Sequence, residues 1–421
     1  MRLLMRRSRL AITLAVFVGA LPPIAGAQPP VRPLGRIVAV TAESLENVTS
    51  IRVLSDGRVL VNDAIKRRVL LFDSTLSRPL SIIDTTSVTA RAYGSALSTL
   101  IAFAGDSSLF LDQASSAILV IDQAGKIVRI VAMPTLPRPQ ANALMGPNGG
   151  LAFDQAGRLV FHAPSPPVLA SVHLPQGWTG DTLVAGPDST AIVRVDLMSR
   201  RLDTIAMLQA PRTRQLVIRQ SGVSRAQAAI NPIPSGDDWT VLNDGTVAVV
   251  RDHDYHIDWI RPDGGVTSGP KVAHEWVRLT DSAKAAIMDS VRGADSATTA
   301  SRDAALSPAE RDSAARLRSS VAAFIPAVGR RVYVEPSDLP DYVPPFAMNG
   351  ARADAEGDVW VRVDHAGPAG GLVYDVIDRR GALIDRVQIP GGTTLVGFAP
   401  GFAYLTSRVG TIVQLAKARI R

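Results

Sequence analysis

The sequence predicts an all-β fold, a single six-bladed β-propeller with a helical insertion between blades 4 and 5. Three observations carry that prediction. A strand–turn–strand phrase recurs along the chain, an Asp/Gly turn keeps its place within the phrase, and the pattern turns helical only over 273–330. Alternating β-branched and aromatic residues between Asp/Gly turns are what half-buried antiparallel strands require. Repeats of this length, each holding about four strands, are the mark of a propeller.

The first copy is SIRVLSDGRVLVNDAIKRRVLLFD (50–73) and the second runs from LIAFAGDSSLFLD to KIVRIVAMP (100–134). A third begins GLAFDQAGRLVFHAP (150–164) and resumes at AIVRVDLMSRRLDTIAML (191–208). The fourth is DWTVLNDGTVAVVRDHDYHIDWIRPDGG (238–265), the fifth spans 350–390, and a degenerate sixth spans 395–420. Gly57, Ser107 and Gly157 hold the same register, and GKIVRIVAMP matches GALIDRVQIP in length and pattern. The sixth copy lacks a fourth strand, which RIVAV (36–40) is expected to supply, removing exposed sheet edges.

Two stretches depart from the repeat. Residues 209–236 are rich in Pro, Arg and Gln and read as a long surface connection. Over 273–325 the pattern is helical, and Ser307-Pro308-Ala309-Glu310 has the N-cap, N1 proline and N3 glutamate of a capping box. Such an Ala-, Ser- and Asp-rich hairpin is too small to sustain its own core, so it reads as an arm on the propeller. A stiff proline-rich segment, EPSDLPDYVPPF (335–346), leads into the fifth copy.

The N-terminus MRLLMRRSRLAITLAVFVGALPPIAGAQPP has a basic start, an apolar run and Ala25-Gly26-Ala27 at the cleavage positions. This is the layout of a signal peptide over 1–27, leaving 28–421 as the propeller in the periplasm or outside the cell. Pro22 and Pro23 interrupt a run already too short to span, so no transmembrane helix is expected in the mature chain. There is no cysteine, which excludes a lipid anchor on cysteine and a disulfide framework. Four arginines leave with the signal, so 45 basic residues become 41 against 38 acidic, and the formal charge falls from +7 to +3. That small, scattered excess and the few aromatic residues argue against a nucleic-acid partner.

The repeated D-x-G-x-h-x-h-x-D and h-x-h-D-x-x-G phrases, where h is apolar, cover nearly all of 36–421. In them the chain resembles the six-bladed β-propellers of the NHL and TolB-like kind found in exported bacterial proteins. The resemblance implies that connections between second and third strands lie on the face where the central channel opens. It leaves the activity open, because propellers host many functions.

The densest polar cluster is VAVVRDHDYHIDW (247–259), read as a hairpin whose tip holds Arg251, Asp252, His253 and Asp254. The same place in other copies holds Asn62 and Asp63, Asp112, His162, and Arg362 with His365. Together these form a candidate ligand-binding ring at one mouth. His253 and His365 each stand eight residues after the turn glycine, Gly245 or Gly357. Strand alternation separates His253 from His256, and no further zinc ligand lies nearby, so the histidines make a poor zinc site. Arg251 and Arg362 could grip a carboxylate or phosphate, or pair with neighbouring aspartates. Lactonase-like propellers of the resembling kind hold calcium with Glu, Asn and Asp near the starts of inner strands. Here Glu46, Asn148, Asp238 and Asn349 are the weak counterparts, although the same letters are ordinary turn residues. No Walker loop, nucleophile elbow, H-E-x-x-H or dinucleotide fingerprint is present, and catalytic residues are unassigned.

The sequence therefore favours a non-enzymatic binding or interaction module for a small molecule, glycan or protein partner. The alternative is a metal-dependent hydrolase of lactones or esters, similar to the gluconolactonase-type propellers.

Overall fold

A computed structural model describes residues 28–85, 93–94, 98–112, 114–133, 151–154, 156–163, 168–173, 175, 178–196, 199–220, 223–324, 331–366 and 370–421. Residues 1–27, expected to form a signal peptide, lie outside them.

The described chain is an all-β, propeller-like fold with two long helices. Successive strands pair antiparallel with their neighbours, forming five four-stranded sheets and one more that gains an additional strand. The first sheet holds Val48–Val53, Val59–Asp63, Arg68–Phe72 and Leu80–Ile83; the second holds Thr99–Ala102, Ser108–Asp112, Ala117–Ile121 and Ile127–Ala132. The third holds Ala152–Phe153, Arg158–Ala163, Ser189–Asp196 and Leu202–Gln209. Asp238–Val241, Val247–Arg251, His256–Ile260 and Val266–Ser268 make the fourth. The fifth consists of Arg352–Ala353, Val359–Ala366, Leu372–Ile377 and Leu383–Gln388, with Val31–Pro33 added in parallel on its outer edge. The sixth takes Thr393–Ala399, Phe402–Val409 and Ile412–Arg419, and its outer strand is Ile37–Val40 from the other end of the chain.

Each apolar core is shared by two neighbouring sheets. Leu60 and Leu71 of the first sheet pack with Phe110 and Ile121 of the second, and Leu109 and Ile118 with Phe161 and Val193 of the third. Val160 and Ile192 meet Trp239 and Val249 of the fourth, whose Val250 and Ile257 meet Val359 and Val361 of the fifth. Trp360 and Val376 pack on Ala403 and Leu405 of the sixth, and Tyr404 and Leu415 return to Val59 and Phe72 of the first. The middle strands are consequently buried on both faces, as in Val59–Asp63 and Ser108–Asp112. Half-buried strands of the kind expected from alternation occur mainly at the sheet edges, as in Val48–Val53 and Ile127–Ala132.

Hydroxyls and carboxylates link neighbouring sheets. Ser50 Oγ accepts the Leu100 amide at 3.1 Å, and Thr240 Oγ1 accepts the Ala353 amide at 3.2 Å. Asp238 Oδ2 accepts the Gly350 and Ala351 amides, each at 2.8 Å, joining the fourth sheet to the fifth. The turn glycines Gly57, Gly157, Gly245 and Gly357 all have φ between +74° and +90°, where a side chain would be strained. In the second copy Ser107 is not the left-handed residue; Gly105 and Asp106, both at φ +62°, take that role one step earlier.

The segment 209–236 is not merely a connection. Arg214–Gln220 pairs with Gly180–Ala185 on one side and Val223–Ala228 on the other, in a three-stranded sheet outside the repeat. The helices are Asp281–Ala305 and Pro308–Phe324. Thr280 caps the first, and at the second Ser307 Oγ and Glu310 Oε2 exchange bonds with each other's amides at 3.3 and 2.8 Å. Met288, fully buried, docks the first helix against Ala229, Val334 and Leu339. Among the described residues no helix is long and apolar enough to cross a membrane.

Asp238→Ala leaves the Gly350 and Ala351 amides buried without acceptors, and should lower the unfolding free energy by about 3 kcal/mol. Urea denaturation of Asp238→Ala beside Asp238→Asn, which retains an acceptor, measures this. Equal stability in Asp238→Ala and the parent would refute the linking role.

Candidate functional site

The hairpin between Val247–Arg251 and His256–Ile260 turns on Tyr255, which has φ +45°. A left-handed aromatic residue is costly, so the surroundings must hold it. Its ring is fully buried between His274 and Phe346, and its hydroxyl donates to Asp375 Oδ2 at 2.8 Å. Arg386 Nε donates to the other Asp375 oxygen at 3.0 Å. Burial, with Asp375 beside it, drives the Tyr255 hydroxyl well above its ordinary pKa. The hairpin tip is thereby anchored to the fifth sheet.

Most charged groups around that tip pair internally. Arg251 donates to Asp258 Oδ2 at 2.7 Å, Asp237 Oδ2 at 2.6 Å and the Met207 carbonyl at 2.9 Å. His256 lies between Asp254, 2.6 Å from Nδ1, and Asp258, 3.2 Å from Nε2. His253 is 65% exposed, and its ring stands 6.3 Å from that of His256 and nearly perpendicular to it, so the two do not form a chelating pair.

Asp252 differs. It is 6% exposed; its amide donates to Asp237 Oδ1 at 3.1 Å and its Oδ2 accepts from Ser235 Oγ, but its Oδ1 is buried without a partner. Burial, reinforced by nearby Asp237, raises the carboxyl pKa above its ordinary 3.8. Beside it lies a cavity of about 200 Å³. The 209–236 segment contributes Gln209, Arg212, Asn231 and Ser235 to the lining, and the stretches flanking the helices contribute Trp276 and Tyr342. Those two rings are 40% and 45% exposed, with centroids 6.1 Å apart and planes at 85°. Asp338 and Asp341, also in the lining, are each held at 2.7 Å by Arg214 and Lys284. Asp252 and Arg212 are left as groups available to a ligand, and the exposed His253 stands beside them with Nε2 3.5 Å from Asp254. This aromatic lip with convergent polar groups has the character of a small-molecule site.

The other expected site residues do not converge on this cavity. Asn62 is fully buried, donating to Ser98 O at 2.8 Å and Thr49 Oγ1 at 2.9 Å and accepting from Tyr93 OH at 2.7 Å. Asp63, also fully buried, accepts the Glu46 and Asn47 amides at 3.1 and 3.0 Å and Arg68 Nε at 3.1 Å. Asp112 accepts from Ser98 and Ser115 hydroxyls at 3.1 and 2.5 Å. These three side chains serve the frame. His162 Nε2 is 2.7 Å from Thr190 Oγ1, and burial lowers its pKa. Arg362 is half-buried, and its carbonyl accepts the Ala347 amide at 2.8 Å. His365 falls in Val359–Ala366, but its side chain lies outside the described ones, as does the whole of Asn148.

The described donors among those considered for calcium do not form a cradle. Both Asp238 oxygens already accept amides, from Trp239 at 2.9 Å and from Gly350 and Ala351, while Asn349 is an exposed turn residue at φ +59°. Glu46 is half-buried beside Asp63. Among the described residues no three His, Asp or Glu side chains are grouped to hold an ion. Gln209, Asn231, Ser235, Trp276 and Tyr342 were absent from the sequence candidates. The signal that could have found them is their position in the segments that break the repeat.

Since the Asp252 pKa is raised on folding, the stability it contributes is present at pH below the ordinary 3.8 and lost as pH rises through the folded value. Asp252→Asn should therefore gain on the parent in melting temperature as pH rises from about 4 towards neutrality. Melts across that range measure the difference; a constant offset would show that Asp252 ionises without cost.

No family model matches the chain, and no curated protein matches it. Among solved structures, virginiamycin B lyase from Staphylococcus aureus is similar at 11% identity and TM-score 0.37, over 92% of this chain and 99% of that one. A gluconolactonase from Xanthomonas campestris gives the same 11% and 0.37 over 92% and 99%. A member of the DUF4221 family from Bacteroides vulgatus gives 8% and 0.45 over 94% and 99%. Likeness at this level carries no functional inference, and the fold rests on the sheets and their shared cores.

Proposed function

We propose that this chain is an exported six-bladed β-propeller, its helical insertion lying between blades 4 and 5, and that the Asp252 cavity binds a small polyhydroxylated molecule such as a sugar or the end unit of a glycan. The observation that carries the proposal is the unpartnered, buried Oδ1 of Asp252 beside a cavity with an aromatic lip. An orphan polar atom of this kind gains free energy when an incoming hydroxyl pairs with it. Trp276 and Tyr342 offer apolar ring faces to the C–H face of a sugar, while Asn231, Gln209 and Arg212 offer planar hydrogen-bonding groups to its hydroxyls. The basic, apolar and small-residue succession at the N-terminus supports export to the periplasm or beyond.

One observation favours a second reading, hydrolysis of a lactone or ester in the same cavity. A carboxyl whose pKa is raised by burial, next to an exposed histidine, suits acid–base work. In that reaction water adds to the carbonyl carbon as Asp252 takes its proton. The acyl C–O bond then breaks, and the departing alkoxide takes that proton back from Asp252, directly or through solvent.

Purified residues 28–421 should bind a member of a panel of mono- and oligosaccharides, seen as a saturable rise in melting temperature and as heat in calorimetry. Trp276→Ala and Asp252→Ala should each weaken binding at least tenfold. If no saccharide binds, or both variants bind as the parent does, the ligand class is wrong. Opening of a lactone by the parent but not by Asp252→Asn would establish the hydrolase instead, and added calcium tests that reading's metal requirement.

A further inference from the structure

A second cavity, of about 210 Å³, lies at the opposite end of the same strands, between the third and fourth sheets. Its charge chemistry differs from that of the first. Arg158 and Arg194 come from the paired strands Arg158–Ala163 and Ser189–Asp196, with side chains only 24% and 14% exposed. Both reach across to the Pro262 carbonyl of the fourth sheet, at 3.3 and 3.0 Å. They also share one carboxylate, Asp154, at 2.8 and 3.9 Å.

Asp154 is poorly placed to balance them. Its Oδ1 accepts the Ala156 and Arg158 amides at 3.0 and 2.9 Å, and its Oδ2 accepts Arg158 Nε at 2.8 Å. Arg194 Nε is buried with no partner. On the rim Arg261 is half-exposed, with Nε 3.4 Å from the exposed Asp263. Asp203 also lines the cavity, but it is paired at 3.0 Å with Arg201. Of the charged residues lining the cavity, Asp154 and Asp203 are thus already engaged by Arg158 and Arg201, and Arg194 and Arg261 are the cations left facing it. The Pro262 carbonyl and the Asp154 carboxylate already take the other guanidinium donors, so among the described residues Arg194 Nε has no acceptor, and an external oxygen can supply one.

We propose that this cavity is a binding site for a small oxyanion, the phosphate or carboxylate group of a ligand, received by Arg194 and Arg261. The guanidinium fork matches two oxygens of such a group, and the partly buried setting strengthens the pairing relative to open solvent. The site is independent of the Asp252 cavity, which opens at the other end of the strands.

The test is calorimetry and thermal unfolding of residues 28–421 with inorganic phosphate and with acetate, against chloride at matched ionic strength. Phosphate, acetate or both should bind saturably and raise the melting temperature, and whichever binds identifies the oxyanion. Arg194→Gln and Arg261→Gln should each weaken that binding at least fivefold, while Asp252→Asn leaves it unchanged. Arg261 is on the rim and outside the cores, so its variant keeps the test decisive if Arg194→Gln fails to fold. The proposal falls if neither anion does more than chloride, or if Arg261→Gln binds as the parent does.

Discussion

A four-stranded sheet with two apolar faces cannot bury either face alone, and this constraint shapes the whole molecule. Val59, Leu60 and Val61 are consecutive and all fully buried, so their sheet must be covered on both sides. Each sheet is covered by its sequence neighbours, and the first and sixth cover one another through Phe72 and Tyr404. The same need accounts for the N-terminal strand Ile37–Val40, which crosses the full chain length to finish the sixth sheet. Free energy from apolar burial is thus shared among six interfaces instead of one central core.

That packing decides the fate of the polar residues at the strand ends. Inside a medium of low dielectric constant every donor and acceptor needs a partner, and the loops entering the first strands bring unpaired amides. Asp63 and Asp238 meet those amides directly, while Asn62 and Asp112 hold the hydroxyls and carbonyls beside them. They are frame residues for the same reason that they are polar. Asp252 occupies a similar place, but its Oδ1 remains without a partner because Asp237 already takes the neighbouring amides and Arg251. The strained Tyr255 next to it is tolerated because its ring and hydroxyl are both anchored.

Repeated units alone yield equivalent corners, and a unique site requires something that breaks the equivalence. Here the 209–236 segment and the stretches flanking the helices do so, building walls against one hairpin out of six sheets. Arg214–Asp338 and Lys284–Asp341 tie those walls together, so the insertion is more than an appended arm. Its base supplies Trp276 and Tyr342, the aromatic lip of the cavity.

The sequence by itself determined what local physics controls. Alternation and Asp/Gly turns marked most strands of the repeated sheets, because a turn glycine at positive φ and a β-branched run act over a few residues. Ser307 and Glu310 marked the start of the second helix for the same reason. Residues 214–228 escaped that reading, since their sheet is completed by Gly180–Ala185, about thirty positions earlier. Likewise, nothing local distinguishes Asp63, whose partners are amides, from Asp252, whose Oδ1 has none. Only the tertiary structure could decide which polar group was left unpaired and which distant aromatic rings came to stand beside it, because burial and pairing depend on neighbours far away in the chain.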